Sequence, residues 1–126
     1  MKPCWEQAAR DGDAESLSAQ LSAGADVNGL DRYGQSALML SCLAGSLEAV
    51  SVLVRAGANL DITAKYCLSA AMLAAVNGHE EIVRFLHSAG ADFSLRGCGA
   101  PGFHEKTVAD LARASGLEDL ARDLSS

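Results

Sequence analysis

Gly57-Ala58-Asn59 stands 33 residues after Gly24-Ala25-Asp26 and 33 residues before Gly90-Ala91-Asp92. Gly12, Gly45 and Gly78 keep the same spacing. One period held by two separate residue sets is a structural repeat. A single repeat cannot bury its own apolar face, so neighbouring repeats must stack. Stacks present extended surfaces far more often than catalytic pockets.

The period predicts one domain, 1–126, made of units 1–30, 31–63, 64–96 and 97–126. In the second unit Ser36 is placed to cap a helix over Ala37-Leu38-Met39-Leu40-Ser41-Cys42-Leu43-Ala44. Gly45-Ser46 ends that helix and begins another, whose stripe is Leu47, Val50, Leu53 and Val54. Gly57 stops it, and Ala58-Asn59-Leu60-Asp61 starts an extended turn. The third unit repeats the pattern with Ser69, Gly78-His79, the stripe Ile82, Val83, Phe85 and Leu86, and Gly90. The first unit keeps Gly12-Asp13, Leu17, Leu21 and Gly24, with a short first helix carrying Trp5, Glu6 and Arg10. The fourth keeps Thr107, Leu111, Gly116, Leu120 and Leu124. Each unit is therefore two short antiparallel helices and an extended finger. Polar outer faces are expected at the two ends, from Asp11, Asp13 and Glu15 and from Glu118, Asp119, Arg122 and Asp123.

Composition narrows the function. Of 126 residues, 49% are hydrophobic and only 5% aromatic, so the core is filled by small and aliphatic side chains. A net charge of −6 leaves no excess of Lys and Arg to neutralise phosphates, which argues against nucleic acid and against anionic membrane surfaces. No apolar run reaches the roughly 20 residues that span a bilayer. Met1-Lys2-Pro3-Cys4-Trp5-Glu6 lacks the apolar stretch of a secretory signal. The four cysteines are accordingly read as free thiols in a reducing, cytoplasmic setting, with Cys42 buried and Cys4 and Cys98 exposed.

The whole chain resembles ankyrin-repeat proteins. The matching phrases are Asp31-Arg32-Tyr33-Gly34-Gln35-Ser36-Ala37-Leu38, Gly78-His79-Glu80-Glu81-Ile82-Val83 and Ala89-Gly90-Ala91-Asp92. The resemblance implies an all-α solenoid of helix pairs with β-hairpin-like fingers. It also implies a protein without enzymatic activity or cofactor, which binds other proteins by its finger tips and the concave face of its first helices. The family's Thr-Pro-Leu-His phrase appears as Ser36-Ala37-Leu38-Met39, Ser69-Ala70-Ala71-Met72 and Thr107-Val108-Ala109-Asp110, without Pro or His. The hydrogen bonds that His makes between turns are thereby lost, and a less rigid stack is expected. Cys67 replaces the glycine found at Gly34, which bears on the turn of the second finger.

Tyr33 and Tyr66, the only tyrosines, stand 33 residues apart at one finger position, each after a basic residue, Arg32 and Lys65. Tyr and Arg are over-represented at interface hot spots, and exposed aromatics on loop tips tend to be functional. The plainer alternative is a Tyr packed on its own turn. Gln35 and Leu68 lie on the same fingers. The third finger departs from the period: Thr107 should fall at 102, so five residues are inserted before it, within Gly97-Cys98-Gly99-Ala100-Pro101-Gly102-Phe103-His104-Glu105-Lys106. Insertions in repeats map to loops, often on the binding face. Phe103, with His104 and Lys106, either grasps a partner or tucks against the last repeat. At the ends of the first helices, Leu43, Ala44, Val76 and Asn77 should line the concave face.

Three motifs have local explanations. Gly97-Cys98-Gly99-Ala100-Pro101-Gly102 spells G-x-G-x-x-G but has no strand before it and no helix directly after it, so no nucleotide is expected. Cys67, Cys98 and His104 match no zinc spacing, so no metal is expected. His79 is read as a helix cap and His87 as a solvent-side residue, while Glu80-Glu81 and Glu118-Asp119 sit where helix dipoles favour negative charge. The expected function is non-catalytic binding of another protein by a monomeric chain acting as an inhibitor or adaptor. A bacterial immunity-type blocker of a toxin or effector enzyme is the alternative, and a thiol- or metal-dependent activity at the finger insertion a more distant one.

Overall fold

A computed structural model describes residues 2–99 and 102–125 of the chain. Eight α-helices, and no strand beyond isolated bridges, occur among the described residues. They form four pairs: α1 (Pro3–Asp11) with α2 (Ala14–Ser22), α3 (Ala37–Ala44) with α4 (Leu47–Arg55), α5 (Ala70–Val76) with α6 (Glu80–Ser88), and α7 (Val108–Ala114) with α8 (Glu118–Ser125). The first helices pack in the order α1, α3, α5, α7, with α2, α4 and α6 behind them in the same order. The short first helix expected from the sequence is not found: α1 has nine residues, as many as α2, α4 and α6, and Pro3 stands at its start, where a missing N–H costs nothing.

Side-chain caps set most helix starts. Asp13, Ser36, Ser46 and Ser69 each accept a hydrogen bond from the backbone N–H three residues on. Thr107 and Asp110 form a reciprocal capping box. Each cap contributes about 1 kcal/mol. His79 occupies the N-cap of α6, as its position suggests, but without a side-chain capping hydrogen bond. Its ring lies against Gly45 instead, where an added Cβ would stand 2.7 Å from Cε1.

The core runs between the two helix layers. Ala8, Ala9, Ala37, Ala70, Ala71, Ala74, Ala75 and Ala112 let the first helices approach closely. Leu17, Val50, Leu53, Ile82, Val83, Leu86 and Leu120 come forward from the second helices to cover them. Burying an aliphatic side chain of that size stabilises by roughly 1.5–3 kcal/mol. Leu47, Val54 and Phe85 complete the expected stripes but are only half-buried. Cys42 is fully enclosed, and burial pushes its thiol pKa far up.

Neighbouring pairs are also tied by hydrogen bonds, although the family's histidine is missing. Ser46 Oγ donates to Gly12 O at 3.0 Å and Ser41 Oγ to Ala9 O at 3.5 Å. The backbone N–H of Asn59 donates to Asn28 Oδ1 at 2.7 Å, and that of Asp92 to Asp61 Oδ1 at 2.8 Å. Neighbouring pairs are thus linked by serine on the helices and by Asn and Asp in the turns. The acidic end residues Asp11, Asp13, Glu15, Glu118, Asp119 and Asp123 are exposed, as expected of end units.

Candidate functional site: the finger edge and first-helix face

The first finger is a tight hairpin built on Asp31. Its N–H donates to Gln35 O at 2.9 Å, and Leu30 and Ser36 form an antiparallel bridge. Asp31 Oδ1 accepts the N–H groups of Tyr33 at 2.8 Å and Gln35 at 2.9 Å. Gly34 supplies the left-handed residue that the turn requires, with φ of 76°. The turn holds Tyr33 out in solvent at 63% exposure. The Arg32 guanidinium carbon lies 5.5 Å from the Tyr33 ring centroid, within cation–π range. Gln35 is half-buried at the base.

The second finger has a different form. Lys65–Cys67 is a tight turn in which Tyr66 (φ 63°) and Cys67 (φ 59°) both adopt the left-handed conformation without being glycine. Lys65 Nζ lies 5.0 Å from the Tyr66 ring centroid, repeating the basic–aromatic pair of the first finger. Tyr66, however, is half-buried rather than projecting, because the third finger covers it. Leu68, expected at the binding surface, is buried: it follows the turn and points into the core ahead of α5, so it is not part of an accessible site.

The third finger folds back on the second. Cys98 N–H donates to Tyr66 O at 2.8 Å, and the Phe103 ring lies 5.5 Å from the Tyr66 ring. The loop closes on itself through Gly97 N–H to Lys106 O and Glu105 N–H to Gly97 O, and Arg96 Nη1 donates to Glu105 O at 3.0 Å. Phe103 thus packs on the Tyr66 ring of the neighbouring finger and is half-buried against the core. His104 and Lys106 are exposed beside it. Ala100 and Pro101 of the glycine-rich motif lie outside the described residues.

Cys67 and Cys98 form a disulfide, with Cα atoms 5.4 Å apart. This corrects the expectation of four free thiols and of an exposed thiol at Cys98; Cys4, exposed, and Cys42, buried, are the free ones. It also removes both sulfurs from any zinc set with His104. The signal was available in part: Arg32, Lys65 and Cys98 share one repeat position, which brings Cys98 beside the second finger. The five-residue insertion hid the register.

On the concave side Leu43, Ala44, Val76 and Asn77 are all exposed. The Asn77 amide donates back to Leu73 O at 2.8 Å. A shallow depression of about 190 Å³ lies among Arg10, Leu40, Leu43 and Ala44. A larger cleft, about 540 Å³, opens at the first end of the stack between Lys2, Trp5, Gln20, Ala23 and Asp26. Trp5 is buried there with its indole N–H lacking an acceptor among the described residues. Leu30, which the sequence did not single out, joins Tyr33, Leu43 and Val76 as the exposed large hydrophobics of the described residues. All four lie on the fingers or the first helices. The second helices expose none, because their apolar stripe faces the core.

The stacked helix pairs and fingers are those of a solenoid binding module. Residues 5–96 match the family model for ankyrin repeats in three copies, and the chain belongs to the ankyrin-repeat family. Ankyrin repeats are generally protein–protein interaction modules and typically non-catalytic. No curated protein matches the chain. No helix among the described residues is long and apolar enough to cross a membrane.

Proposed function

We propose that this chain is one domain of four units that binds a partner protein through the first finger and the first-helix face, without catalysis, cofactor or metal. One observation carries this. The exposed large hydrophobics Leu30, Tyr33, Leu43 and Val76 gather on the finger and first-helix side, while Leu47, Val54 and Phe85 on the opposite layer are half-buried against the core. An apolar centre flanked by Tyr and Arg is the composition of interface hot spots. Arg32 and Lys65 form no ion pair among the described residues, and each rests on a tyrosine. The fitting partner surface is acidic or mixed and carries an apolar side chain for the depression at Leu43. Gln35, Lys65, Tyr66, Asn77, Phe103, His104 and Lys106 border that centre.

The biological role that suits such a surface is an inhibitor or adaptor, with an immunity-type blocker of a toxin or effector enzyme as the narrower form. A monomer is expected by light scattering. A cytoplasmic location is kept, although the disulfide changes its terms: in a reducing compartment such bonds are usually transient and redox-sensing. The test is affinity capture from native extract on immobilised wild type and on Leu43→Asp/Val76→Asp, with folding checked by circular dichroism. The double variant should retain its helicity and lose the captured protein. Equal capture by both would refute the assignment of this face.

A further inference from the structure

We propose that the Cys67–Cys98 bond is a redox-operated clasp that builds the Tyr66–Phe103 half of the binding surface, and that its reduction by a protein dithiol releases the third finger from the second. Four observations support it. The bond joins two adjacent fingers, not two helices of the core, so cutting it leaves the helix layers intact. The chain on the Cys67 side is held in an unfavourable shape: Tyr66 and Cys67 both sit at positive φ, where the first finger uses Gly34 for its single left-handed residue. The loop's remaining anchors to the second finger are few, chiefly the Cys98 N–H to Tyr66 O hydrogen bond and the Phe103 ring on Tyr66. Finally, both cysteines are only half-buried, within reach of an external thiolate.

The chemistry is thiol–disulfide exchange. A thiolate of the dithiol attacks one sulfur of the bond, and the other leaves as a thiolate and takes up a proton. The second thiol of the reductant then attacks the mixed disulfide, so that two electrons and two protons pass to Cys67 and Cys98 and the reductant becomes a disulfide. Glutathione disulfide reverses the step by the same exchange. The chain's other thiols do not enter: Cys42 is enclosed in the core, and Cys4 lies on α1, two helix pairs away from the second finger. Closed, the clasp presents Lys65, Tyr66, Phe103, His104 and Lys106 as one surface. Open, Tyr66 and Phe103 separate and the inserted loop is freed.

The consequence for binding rests on the function proposed above, but the opening does not, and it is read on the isolated chain. Hydrogen–deuterium exchange is followed for the oxidised protein, for the same protein reduced with dithiothreitol, and for Cys67→Ser/Cys98→Ser. Reduction should speed exchange of the Gly97, Cys98, Glu105 and Lys106 amides by at least roughly tenfold while α3 and α5 amides keep their rates. The double variant should match the reduced protein, and glutathione disulfide should restore slow exchange in the wild type alone. Unchanged loop rates on reduction would overturn the clasp, and so would equal acceleration throughout the chain, which marks a general brace. In either case the first-finger surface stands or falls by its own capture experiment.

Discussion

Asp31 in the first finger and Arg10 on α1 of the preceding helix pair are joined by an ion pair. Asp31 Oδ2 lies 3.5 Å from Arg10 Nη2, while Oδ1 holds the N–H groups of Tyr33 and Gln35. The carboxylate is shielded from solvent although Arg10 is partly exposed. One side chain therefore shapes the turn that projects Tyr33 and fastens that turn to the preceding pair. Asp31→Ala should cost about 1–3 kcal/mol in urea unfolding, since two backbone donors lose their acceptor. Asp31→Asn keeps the Oδ1 acceptor and should cost less. Equal losses for the two would show that the ion pair, not the turn, carries the effect.

The His79 ring under Gly45 gives a second prediction. Gly45 and Gly78 share a φ of 76°, but an added Cβ meets the His79 ring only at Gly45 and has open space at Gly78. Gly78→Ala should therefore lose roughly 1–2 kcal/mol, the cost of a left-handed alanine. Gly45→Ala should lose more, and combining it with His79→Ala should remove the excess. Identical losses at the two glycines would show that the histidine ring yields freely.

Thiol counting checks the covalent pattern. The oxidised native protein should react with an aromatic disulfide reagent at one thiol, Cys4, because Cys42 is enclosed and burial disfavours its thiolate. Denaturant without reductant should expose two thiols, and denaturant after reduction four. Four without reductant would contradict the Cys67–Cys98 bond.

Acid should act through Asp110. The Thr107 backbone N–H, donating to its carboxylate, holds its pKa below the ordinary value, with smaller help from the Thr107 hydroxyl and from Lys106 and Arg113. A carboxyl that binds its proton less readily folded than unfolded stabilises the fold above its unfolded pKa, about 3.9. That contribution fades as the pH falls through the lower, folded value. Stability measured from pH 6 down to pH 2 should show a shallower acid limb in Asp110→Asn than in wild type. Superimposable limbs would exclude the capping box as a contributor.

Much of the architecture is legible in the chain because its cues are local. Ser36, Ser69 and Thr107 cap by hydrogen bonds to residues three further on, and the helix that ends at Ala44 is followed by the glycine that the period marks. The candidate surface was legible only where a residue's own turn decides its exposure, as at Tyr33. Tyr66 holds the same repeat position, yet its exposure is set by a loop whose register the insertion displaced. Leu68 looked like a finger residue and is a core residue: it closes the second finger in the register of Gln35, but its apolar side chain is buried where Gln35 is half-buried. The disulfide follows from the same loop. His79 stands at the N-cap of α6, but its side chain found a packing partner in Gly45 rather than a capping hydrogen bond.

The central claim is that the first finger forms the energetic centre of a protein interface. Its most direct test is calorimetric titration of the captured partner with wild type, with Arg32→Ala/Tyr33→Ala, and with Glu48→Ala/Arg55→Ala on the opposite layer as control. Tyr66→Ala is a poorer probe, since it also removes the support of Phe103. The finger variant should lose about 2 kcal/mol or more of binding free energy while the control binds as wild type. A loss below about 1 kcal/mol, or an equal loss in the control, would contradict the account.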